Sequence, residues 1–460
     1  MRSLSDAVHA LDSGLADIRQ QFHVPAGFAD EVIAASAEAA QRSPGEHSDL
    51  TGWPFVTLDP AGSTDLDQAF HLERVGGDIL LHYAIADVAW FVDEGGALDR
   101  EAWERGATLY LPDGKAALYP PALAEGAASL LPDGPRPAVV FHIRVDGAGE
   151  ARLDGATRAV ILSRAKLAYE SVAPADLPAE FDELARRIAA AEAGRGAAKI
   201  DPPEQVVEKD DGGYRLAFRP RLASERANAA MSLACNLAVA EAMLAAGTGL
   251  FRVMSEPDER AVKRLRHTAH AFALSWPPDQ SLGAFARTLD ADDPRHAAFM
   301  MAVRRAGGGA DYVVHEPGVT PWHLAMAATY AHATAPLRRL ADRYTVQTAL
   351  AIANGRPVPD HVTEALSRLP EVMDRADGRS ANIERAVVDL AEAVVLQGRE
   401  GAVFSAEVVD DDEEATRIQL CEVAVLAKIK ARGVQPGDEV RVKLVKADPV
   451  ERLVQFERVG

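Results

Sequence analysis

Cysteine is nearly absent from this sequence, because only Cys235 and Cys421 occur among its 460 residues. The two lie far apart, and neither belongs to a Cys-x-x-Cys pair. A disulfide framework and a thiolate zinc site are therefore excluded, since both need several cysteines at short spacings. Such sparse cysteine is typical of proteins from a reducing compartment, and we expect a cytoplasmic location.

Long hydrophobic runs are also missing from the sequence. The N-terminal segment carries Asp6 and Asp12 where a signal peptide would need an apolar core. The most apolar long stretch, residues 229–251, contains Asn236 and Glu241 and is rich in alanine and glycine. We interpret it as a buried helix and not as a membrane span, so we expect a soluble protein without a membrane partner.

Positive charge is in the minority, with 49 basic against 69 acidic residues and a formal net charge of −20. This balance argues against a broad basic surface for nucleic acid, although a narrow positive channel inside an acidic shell stays compatible with it. Only nine of the basic residues are lysines. Arginine suits bidentate phosphate contacts, but a general bias toward arginine and alanine explains most of them equally well. Charge alone does not identify the partner.

The length of 460 residues, with 48% hydrophobic residues, predicts two or three ordered domains. We expect the first over residues 1–48, because apolar residues recur at helical spacing from Leu4 to Leu15 and a second amphipathic run covers residues 28–40. Two short helices and a turn are compatible with a helix-turn-helix-like module that reads nucleic acid, and equally with a plain helical appendage.

Strand patterns follow the helical segment, and long helical patterns follow the strands. The expected strands cover residues 55–58, 69–74, 79–92, 139–145 and 158–162, and Gly76-Gly77 marks a hairpin turn. The expected helices cover residues 181–193, 223–246, 259–274 and 294–305, with more helices up to about residue 397. Strands followed by helices indicate an α+β domain, which we place at residues 49–398.

The last part of the chain, residues 399–460, returns to β character. Five short strands are expected over residues 403–409, 417–420, 424–429, 439–445 and 453–456. Five strands in so short a segment are typical of a small OB-type barrel, a fold that often binds single-stranded nucleic acid.

Three aspartates surround a short turn after the first expected strand of the middle domain, namely Asp59, Asp65 and Asp67. Residues i and i+2 of an extended segment share a face, and the turn can return Asp59 to the other two. Clustered carboxylates repel unless a divalent cation lies among them, and such hard ligands favour Mg²⁺ or Mn²⁺ and phosphoryl chemistry. Aspartates are also frequent in exposed turns, so the spacing alone leaves an ordinary loop as an alternative.

The same segment resembles the signature Asp-x5-Asp-x-Asp-Asp-Ala of the RNB catalytic domain in the ribonuclease II and ribonuclease R family. Further family motifs follow in the family's order: Ile85-Ala86-Asp87-Val88, Leu98-Asp99, Arg105-Gly106, Tyr110-Leu111-Pro112-Asp113, Ser129-Leu130, Lys166-Leu167-x-Tyr169, Phe251-Arg252-Val253, Tyr330-x-His332-x-Thr334-x-Pro336-x-Arg338-Arg339 and Glu384-Arg385. The resemblance covers residues 49–460. It implies an RNB catalytic domain, with strands first and long helices after, followed by an S1-like OB barrel.

The resemblance also implies a catalytic apparatus. Asp59, Asp65 and Asp67 would hold the metal ion, and Asp65 and Asp67 would take part directly in activating water at the scissile phosphate. Arg338 would stabilise the charge that develops on the phosphate. Glu384 would help to order the site around the 3′ end of the substrate.

Three further residues are implied in substrate binding. Tyr110 would lie near the terminal nucleotides, Tyr169 would stack against a base, and Arg339 would contact the backbone phosphates. Each has a structural alternative, which is packing in a half-buried position for the tyrosines and ion pairing for Arg339. Arg338 shares the ion-pairing alternative.

The sequence departs from the family pattern at several positions. The fourth acidic position is Gln68, whose side-chain oxygen would ligate a cation more weakly, and an ideal strand would point it away from Asp67. One tightly held Mg²⁺ with a weak second site is therefore expected. Asn228-Ala229, Met254 and Ala335 replace a Glu pair, a His and a Ser of the family, which indicates a diverged subfamily.

Residues 1–48 leave no room for the cold-shock barrels that precede the catalytic domain in larger family members. Fewer barrels mean a shorter electrostatic funnel for the incoming strand. We therefore expect a less guarded entrance and less dependence on long single-stranded overhangs.

The sequence thus predicts a 3′-to-5′ exoribonuclease that hydrolyses single-stranded RNA to nucleoside 5′-monophosphates with Mg²⁺, or alternatively Mn²⁺, as its cofactor. We expect a monomer without a dinucleotide cofactor. The alternative is an RNA-binding protein with a degenerate, weakly active site, motivated by Gln68 and the lost Glu pair. A third hypothesis is a DNA-directed nuclease that uses the N-terminal helices for duplex recognition.

Overall fold

The computed structural model describes residues 4–197, 204–210, 213–286, 288–290, 293–306, 309–411, 416–431, 433–435 and 437–459. It begins with two helices, α1 (Leu4–Gln21) and α2 (Asp30–Ala39). Leu15 of α1 is buried in one apolar cluster, whereas Val32 of α2 is buried in another. The two helices therefore dock separately onto the rest of the fold, and whether they bind nucleic acid stays a prediction.

A five-stranded sheet forms the centre of the next part. The elements up to residue 168 are β1 (Ser48–Asp49), β2 (Thr57–Asp59), β3 (Gln68–Val75), β4 (Asp78–Ala86), α3 (Val88–Phe91), α4 (Ala97–Arg105), β5 (Leu109–Leu111), β6 (Gly114–Ala116), β7 (Arg136–Val145), β8 (Ala151–Ile161) and β9 (Lys166–Ala168). The strand order in the sheet is β1-β8-β7-β4-β3. Beside it, β2 and β9 form a parallel pair, and β5 and β6 form an antiparallel hairpin.

The predicted hairpin between β3 and β4 is present. Val75 pairs with Asp78 across a two-residue turn, and Gly76 has a φ of 62°. A positive φ of this size is adopted readily by glycine and rarely by other residues. The Gly-Gly pair therefore fixes the register of β3 and β4, the first of which follows the aspartate loop.

The predicted strand over residues 79–92 is too long. The structure ends β4 at Ala86 and turns the chain into α3 at Val88–Phe91. Asp87 lies at the change of direction, where its buried carboxylate is 2.7 Å from Nε of Arg158. A buried ion pair with a neighbouring strand thus interrupts an apolar run that periodicity alone could not divide.

Helices dominate the following part, as predicted, but it also contains strands that the sequence analysis missed. The helices are α5 (Phe181–Arg195), α6 (Ala223–Ala245), α7 (Glu259–Ala271), α8 (Leu282–Ala286), α9 (Pro294–Ala306), α10 (Leu340–Ala353) and α11 (Asp360–Leu396). The strands are β10 (Glu204–Asp210), β11 (Gly213–Arg219), β12 (Leu250–Val253), β13 (Asp311–Val314), β14 (Trp322–His323) and β15 (Ala328–Thr329). They form short antiparallel pairs between helices, β10 with β11, β12 with β13 and β14 with β15.

The central sheet is covered on both faces. Tyr83 and Phe141 point to one side, where they share an apolar cluster with Met231 of α6. Ala84 and Val140, their neighbours in sequence, point to the other side and join the cluster that includes α4 and α10. Alternation along each strand thus distributes side chains to two cores, as expected for a buried sheet.

Helix α6 is the buried helix that the apolar stretch predicts. Among the described residues it is the one helix long and apolar enough to cross a membrane, yet 61% of its most apolar window is buried inside the fold. Its Cys235, Ala238 and Val239 are almost inaccessible to solvent. The apolar composition of α6 is therefore explained by its packing against the sheet.

The C-terminal strands confirm the predicted small barrel. They are β16 (Val403–Asp411), β17 (Thr416–Leu420), β18 (Leu426–Ile429), β19 (Glu439–Asp448) and β20 (Leu453–Arg458), in the order β18-β17-β16-β19-β20. Phe404, Ile418 and Val442 are buried inside it. The edge strands β18 and β20 also approach each other, so the sheet is a nearly closed, OB-like barrel.

Candidate active site

The loop between β2 and β3 carries the three aspartates, and buried contacts hold it in place. Leu66, in the middle of the Asp65–Asp67 segment, is fully buried. Its N–H donates a hydrogen bond to Oγ of Ser129 at 2.9 Å, and its carbonyl accepts one from the N–H of Leu130 at 3.0 Å. The backbone on either side of Leu66 is therefore fixed, and so are the backbone positions of Asp65 and Asp67.

Asp67 is buried between this loop and the turn that precedes α10. Its Oδ1 accepts a hydrogen bond from the N–H of Leu337 at 2.7 Å, and its Oδ2 lies 3.2 Å from Nε of Arg338. Burial raises the pKa of Asp67 to about 7, although Arg338 and the Leu337 N–H both act in the opposite direction. Both carboxylate oxygens of Asp67 thus have a protein partner.

Asp59 is the last residue of β2 and lies near the other charged groups of the loop. Burial raises its pKa to about 6, Arg338 lowers it, and the negative charge of Asp65 raises it further. The carbonyl of Asp59 accepts a hydrogen bond from the N–H of Tyr169 at 3.1 Å, which ties the strand end to the residue after β9. Asp59 and Asp65 are therefore two carboxylates that repel each other.

The carboxylate of Asp65 lies beside the β5–β6 hairpin. Nζ of Lys115 is 2.8 Å from Oδ1 of Asp65 and 3.0 Å from Oε1 of Glu125. Tyr110 is the cross-strand partner of Lys115, and the pKa of its hydroxyl is raised by burial and by the charge of Asp65. The structure thus brings Tyr110 next to the aspartates, together with a lysine that the sequence analysis did not identify.

Gln68 has hydroxyl partners on two neighbouring elements, β4 and α6. Its Oε1 accepts hydrogen bonds from the hydroxyl of Tyr83 and from Oγ of Ser232, the latter at 2.8 Å. Asp67 and Gln68 therefore face different elements, as an ideal strand requires. Two hydroxyl groups thus engage the side-chain oxygen of Gln68, and its role as a metal ligand stays a prediction.

The expectation that all three aspartates surround one cation stays a prediction. Among the described residues, no group of three or more His, Cys, Asp or Glu side chains is arranged to hold a metal ion. The two carboxylate oxygens of Asp67 contact the N–H of Leu337 and Nε of Arg338. Asp59 and Asp65 remain, and their hard oxygens and mutual repulsion fit a single divalent cation.

A cavity of about 680 Å³ opens beside these groups. Its lining includes Tyr169, Asn228, Arg338 and Arg339. Nδ2 of Asn228 donates to the hydroxyl of Tyr169 at 2.8 Å and to the carbonyl of Leu58 at 3.2 Å. Asn228 therefore fixes the ring of Tyr169 relative to the strand that carries Asp59.

The two adjacent arginines have different surroundings. Arg338 has a side chain that is 45% exposed and pairs with Asp67. Arg339 forms two hydrogen bonds with Asp342, at 3.0 Å from Nε and 2.8 Å from Nη2, and Asp342 is fully buried. Arg339 therefore has a structural ion pair of its own, and its contact with backbone phosphates stays a prediction.

Glu384 lies on the exposed side of α11, in the part of that helix whose buried residues pack on α1. Its Oε1 lies 3.4 Å from the hydroxyl oxygen of Ser380, one turn earlier. The role of Glu384 at the 3′ end of the substrate stays a prediction.

Three participants in the site were not assigned by sequence reasoning: Lys115, the Leu337 N–H and the side chain of Asn228. Lys115 matched no motif, and backbone donors leave no trace in side-chain patterns. Asn228 was noted only as a departure from the family. The available signal was the short distance in sequence from Tyr110 to Lys115, because a tight hairpin pairs them.

Two family profiles match the chain. The profile of the RNB domain matches residues 47–352, and the profile of the RNase II-type exonuclease C-terminal S1 domain matches residues 402–459. Residues 353–401 lie between the two matches, so the domain boundary placed at residue 398 stays a prediction.

Known proteins and solved structures resemble the chain over most of its length. Ribonuclease R of Thermotoga maritima is 25% identical over 495 residues, which covers 95% of this chain and 69% of that protein. The structure of Mycoplasma genitalium RNase R in complex with ribose-methylated single-stranded RNA has a TM-score of 0.85 at 20% identity, covering 97% of this chain and 77% of that one. The structure of yeast Ssd1, a pseudonuclease, has a TM-score of 0.68 at 17% identity, covering 89% of this chain and 52% of that one.

Proposed function

Because the chain belongs to the RNB-domain family, with an RNase II-type C-terminal S1 domain, we propose that it is a 3′-to-5′ exoribonuclease. The proposed substrate is single-stranded RNA, and the proposed products are nucleoside 5′-monophosphates and a short residual oligonucleotide. The family relationship supports hydrolytic degradation of RNA, since a relative that aligns with 95% of this chain is named ribonuclease R.

One observation carries this proposal. The guanidinium of Arg338 lies 3.2 Å from the carboxylate of Asp67, and Arg338 also lines the cavity. A half-exposed arginine held by a buried aspartate is oriented before the substrate arrives, so no reorganisation is needed when phosphate charge develops. The same cavity is lined by Tyr169, whose ring offers a stacking surface for a base.

The roles of the individual residues follow from this arrangement. Asp59 and Asp65 would hold one divalent cation, for which we propose Mg²⁺, and when bound it would polarise the phosphate and lower the pKa of water. Arg338 would stabilise negative charge on the non-bridging oxygens. Asp67 holds Arg338 in place. Tyr110, beside Asp65, would border the 3′ end of the bound RNA.

Sequence specificity is expected to be low. The groups in the cavity are an aromatic ring, an amide and arginines, which recognise base faces and phosphates rather than base edges. Four arginines and two glutamates line the cavity, so it is more basic than the chain as a whole, which carries a net charge of −20. Binding of single-stranded RNA should therefore weaken steeply with salt even though the surface is acidic.

The Asp67→Asn variant tests the proposal. We expect it to bind a labelled single-stranded oligoribonucleotide as the wild type does, while hydrolysis falls by up to about 10²–10³, the loss expected for removing Arg338 itself. Asp93→Asn is the matched control, because Asp93 is an exposed carboxylate that pairs with Arg42 on another surface. The shortened products are seen as a ladder on a gel. The assignment is supported if the wild-type ladder depends on a divalent cation, stops with a chelator and disappears in Asp67→Asn. An unchanged ladder in Asp67→Asn contradicts it.

One observation favours a second function, that of an RNA-binding protein with a degenerate site. The fourth acidic position of the signature is Gln68, and its oxygen is engaged by Tyr83 and Ser232. A pseudonuclease also shares the fold. In the same assay, a stable gel shift without any ladder at millimolar Mg²⁺ or Mn²⁺ would support this second function.

A further inference from the structure

Lys115 has two carboxylate partners from different elements of the fold. Its Nζ lies 2.8 Å from Oδ1 of Asp65 and 3.0 Å from Oε1 of Glu125, and its side chain is only 22% exposed. An ammonium between two carboxylates offsets one of their two negative charges and holds them at a fixed separation. Lys115 is therefore a cation that the fold itself provides at the aspartate loop.

The β5–β6 hairpin determines the position of this lysine. Lys115 and Tyr110 are directly paired across the two strands, and Leu111 pairs with Gly114 at the turn. Gly114 has a φ of 139°, a conformation that suits glycine. Leu109 and Leu111, on the other face of the hairpin, are buried among residues of α1 and α11. The hairpin is anchored from behind and presents Lys115 and Tyr110 to Asp65.

The charges around the aspartates fit one divalent cation better than two. Asp67 has Arg338 as its direct cationic partner, and Asp65 has Lys115. Gln68 contributes no negative charge and points to Tyr83. A second divalent ion at Asp65 would have to displace an ammonium from Oδ1 and would meet its repulsion.

On this basis we propose that Lys115 replaces a second metal ion at the site. Its ammonium neutralises Asp65, limits the site to one divalent cation, and supplies near the phosphate the positive charge that a second ion would otherwise supply. This inference rests on the proposed nuclease function for its catalytic meaning. Its claim about cation binding can be tested without catalysis.

The experiment counts bound Mn²⁺ by electron paramagnetic resonance, which detects the free ion during a titration. The full-length protein is titrated with and without a ribose-methylated oligonucleotide. We expect one bound ion in the wild type. In Lys115→Met we expect a second ion that binds more weakly. The midpoint of Mg²⁺ activation, which is the Mg²⁺ concentration that gives half-maximal hydrolysis, should rise by at least about tenfold.

Two further variants serve as matched controls. Lys115→Arg keeps the positive charge and should still bind one ion, with a midpoint close to that of the wild type. Glu125→Gln removes the other partner of Lys115 but leaves its contact with Asp65, so one ion is again expected. Thermal unfolding of each variant verifies that the fold is retained.

The outcomes separate this inference from the proposed function. If Lys115→Met stays folded and binds Mn²⁺ with the number and affinity of the wild type, the inference is wrong, whatever the activity. If the wild type fails to hydrolyse RNA but the ion count changes as described, the inference about Lys115 stands and the nuclease assignment fails.

Discussion

Asp67 and Arg338 meet through their side chains, with Oδ2 of the aspartate 3.2 Å from Nε of the arginine. The other carboxylate oxygen accepts the N–H of Leu337, the residue just before Arg338. One buried carboxylate thus holds both the backbone and the side chain of the turn before α10. The guanidinium is oriented toward the cavity by a residue that is far away in the sequence.

The two adjacent arginines should respond differently to substitution. We expect Arg338→Ala to lower kcat by about 10²–10³, because a donor to the developing phosphate charge is lost. Single-turnover hydrolysis of labelled RNA at saturating Mg²⁺ measures this effect. The free energy of unfolding should fall less than in Arg339→Ala, since the side chain of Arg338 is 45% exposed and the buried Asp67 keeps its hydrogen bond from the N–H of Leu337.

Arg339→Ala is the matched control for Arg338. It leaves the fully buried Asp342 without its ion pair, so we expect a loss of about 3–5 kcal/mol in the free energy of unfolding. Denaturant unfolding measures this loss. A fully stable Arg339→Ala variant without activity would show that the second arginine acts on the substrate instead.

Gln68→Leu should affect stability more than metal dependence. The hydroxyls of Tyr83 and Ser232 lose their shared acceptor and keep only the hydrogen bond between them, at a cost of about 1–3 kcal/mol in the free energy of unfolding. The midpoint of Mg²⁺ activation should stay unchanged, because the side-chain oxygen of Gln68 is held by the hydroxyls of Tyr83 and Ser232. Ser232→Ala serves as the control with a smaller loss of stability. A large rise of the midpoint in Gln68→Leu would restore Gln68 as a metal ligand.

Asn228→Ala should weaken RNA binding through Tyr169. Asn228 donates to the Tyr169 hydroxyl at 2.8 Å, and without it the ring is less well oriented. We expect the Kd for single-stranded RNA, measured by fluorescence anisotropy with a chelator present, to rise by about three- to tenfold. Tyr169→Ala should raise it further, since a stacking surface worth about 1–3 kcal/mol is lost. Identical Kd values in all three proteins would exclude stacking on Tyr169.

The pH dependence of stability should report on Glu392 of α11. This buried carboxylate accepts hydrogen bonds from Nε2 of Gln205 at 2.7 Å and from the N–H of Leu426 in the C-terminal barrel at 2.8 Å. Burial raises its pKa from 4.5 to about 7. The folded state therefore holds the proton more tightly, and the stability gained from this group below pH 4.5 is lost as the pH rises through 7.

Glu392→Gln removes this titration but keeps an oxygen acceptor. At pH 8 we expect it to unfold at a higher denaturant concentration than the wild type, by up to about 3 kcal/mol, and to match it near pH 4. Glu371→Gln, at a largely exposed position of the same helix, should leave the pH profile unchanged. If the free energy of unfolding changes with pH equally in the wild type and in Glu392→Gln between pH 4.5 and 7, Glu392 is not the titrating group.

The sequence by itself determined the elements whose cause is local. The five barrel strands, the hairpin at Gly76 and helix α6 were all predicted, because alternation, helical periodicity and turn chemistry act over a few residues. The signature around Asp59 and Asp67 likewise identified the family, since its spacing is continuous in the chain.

Only the tertiary structure decided how the polar groups are paired. It ended β4 at Asp87 through a contact with Arg158, directed Gln68 to Tyr83, and set Lys115 against Asp65. Each of these pairs joins different elements, and burial makes a partner obligatory without specifying which residue provides it. Local patterns can predict that a carboxylate needs a cation, but the packing of distant elements selects whether a metal, an arginine or a lysine supplies it.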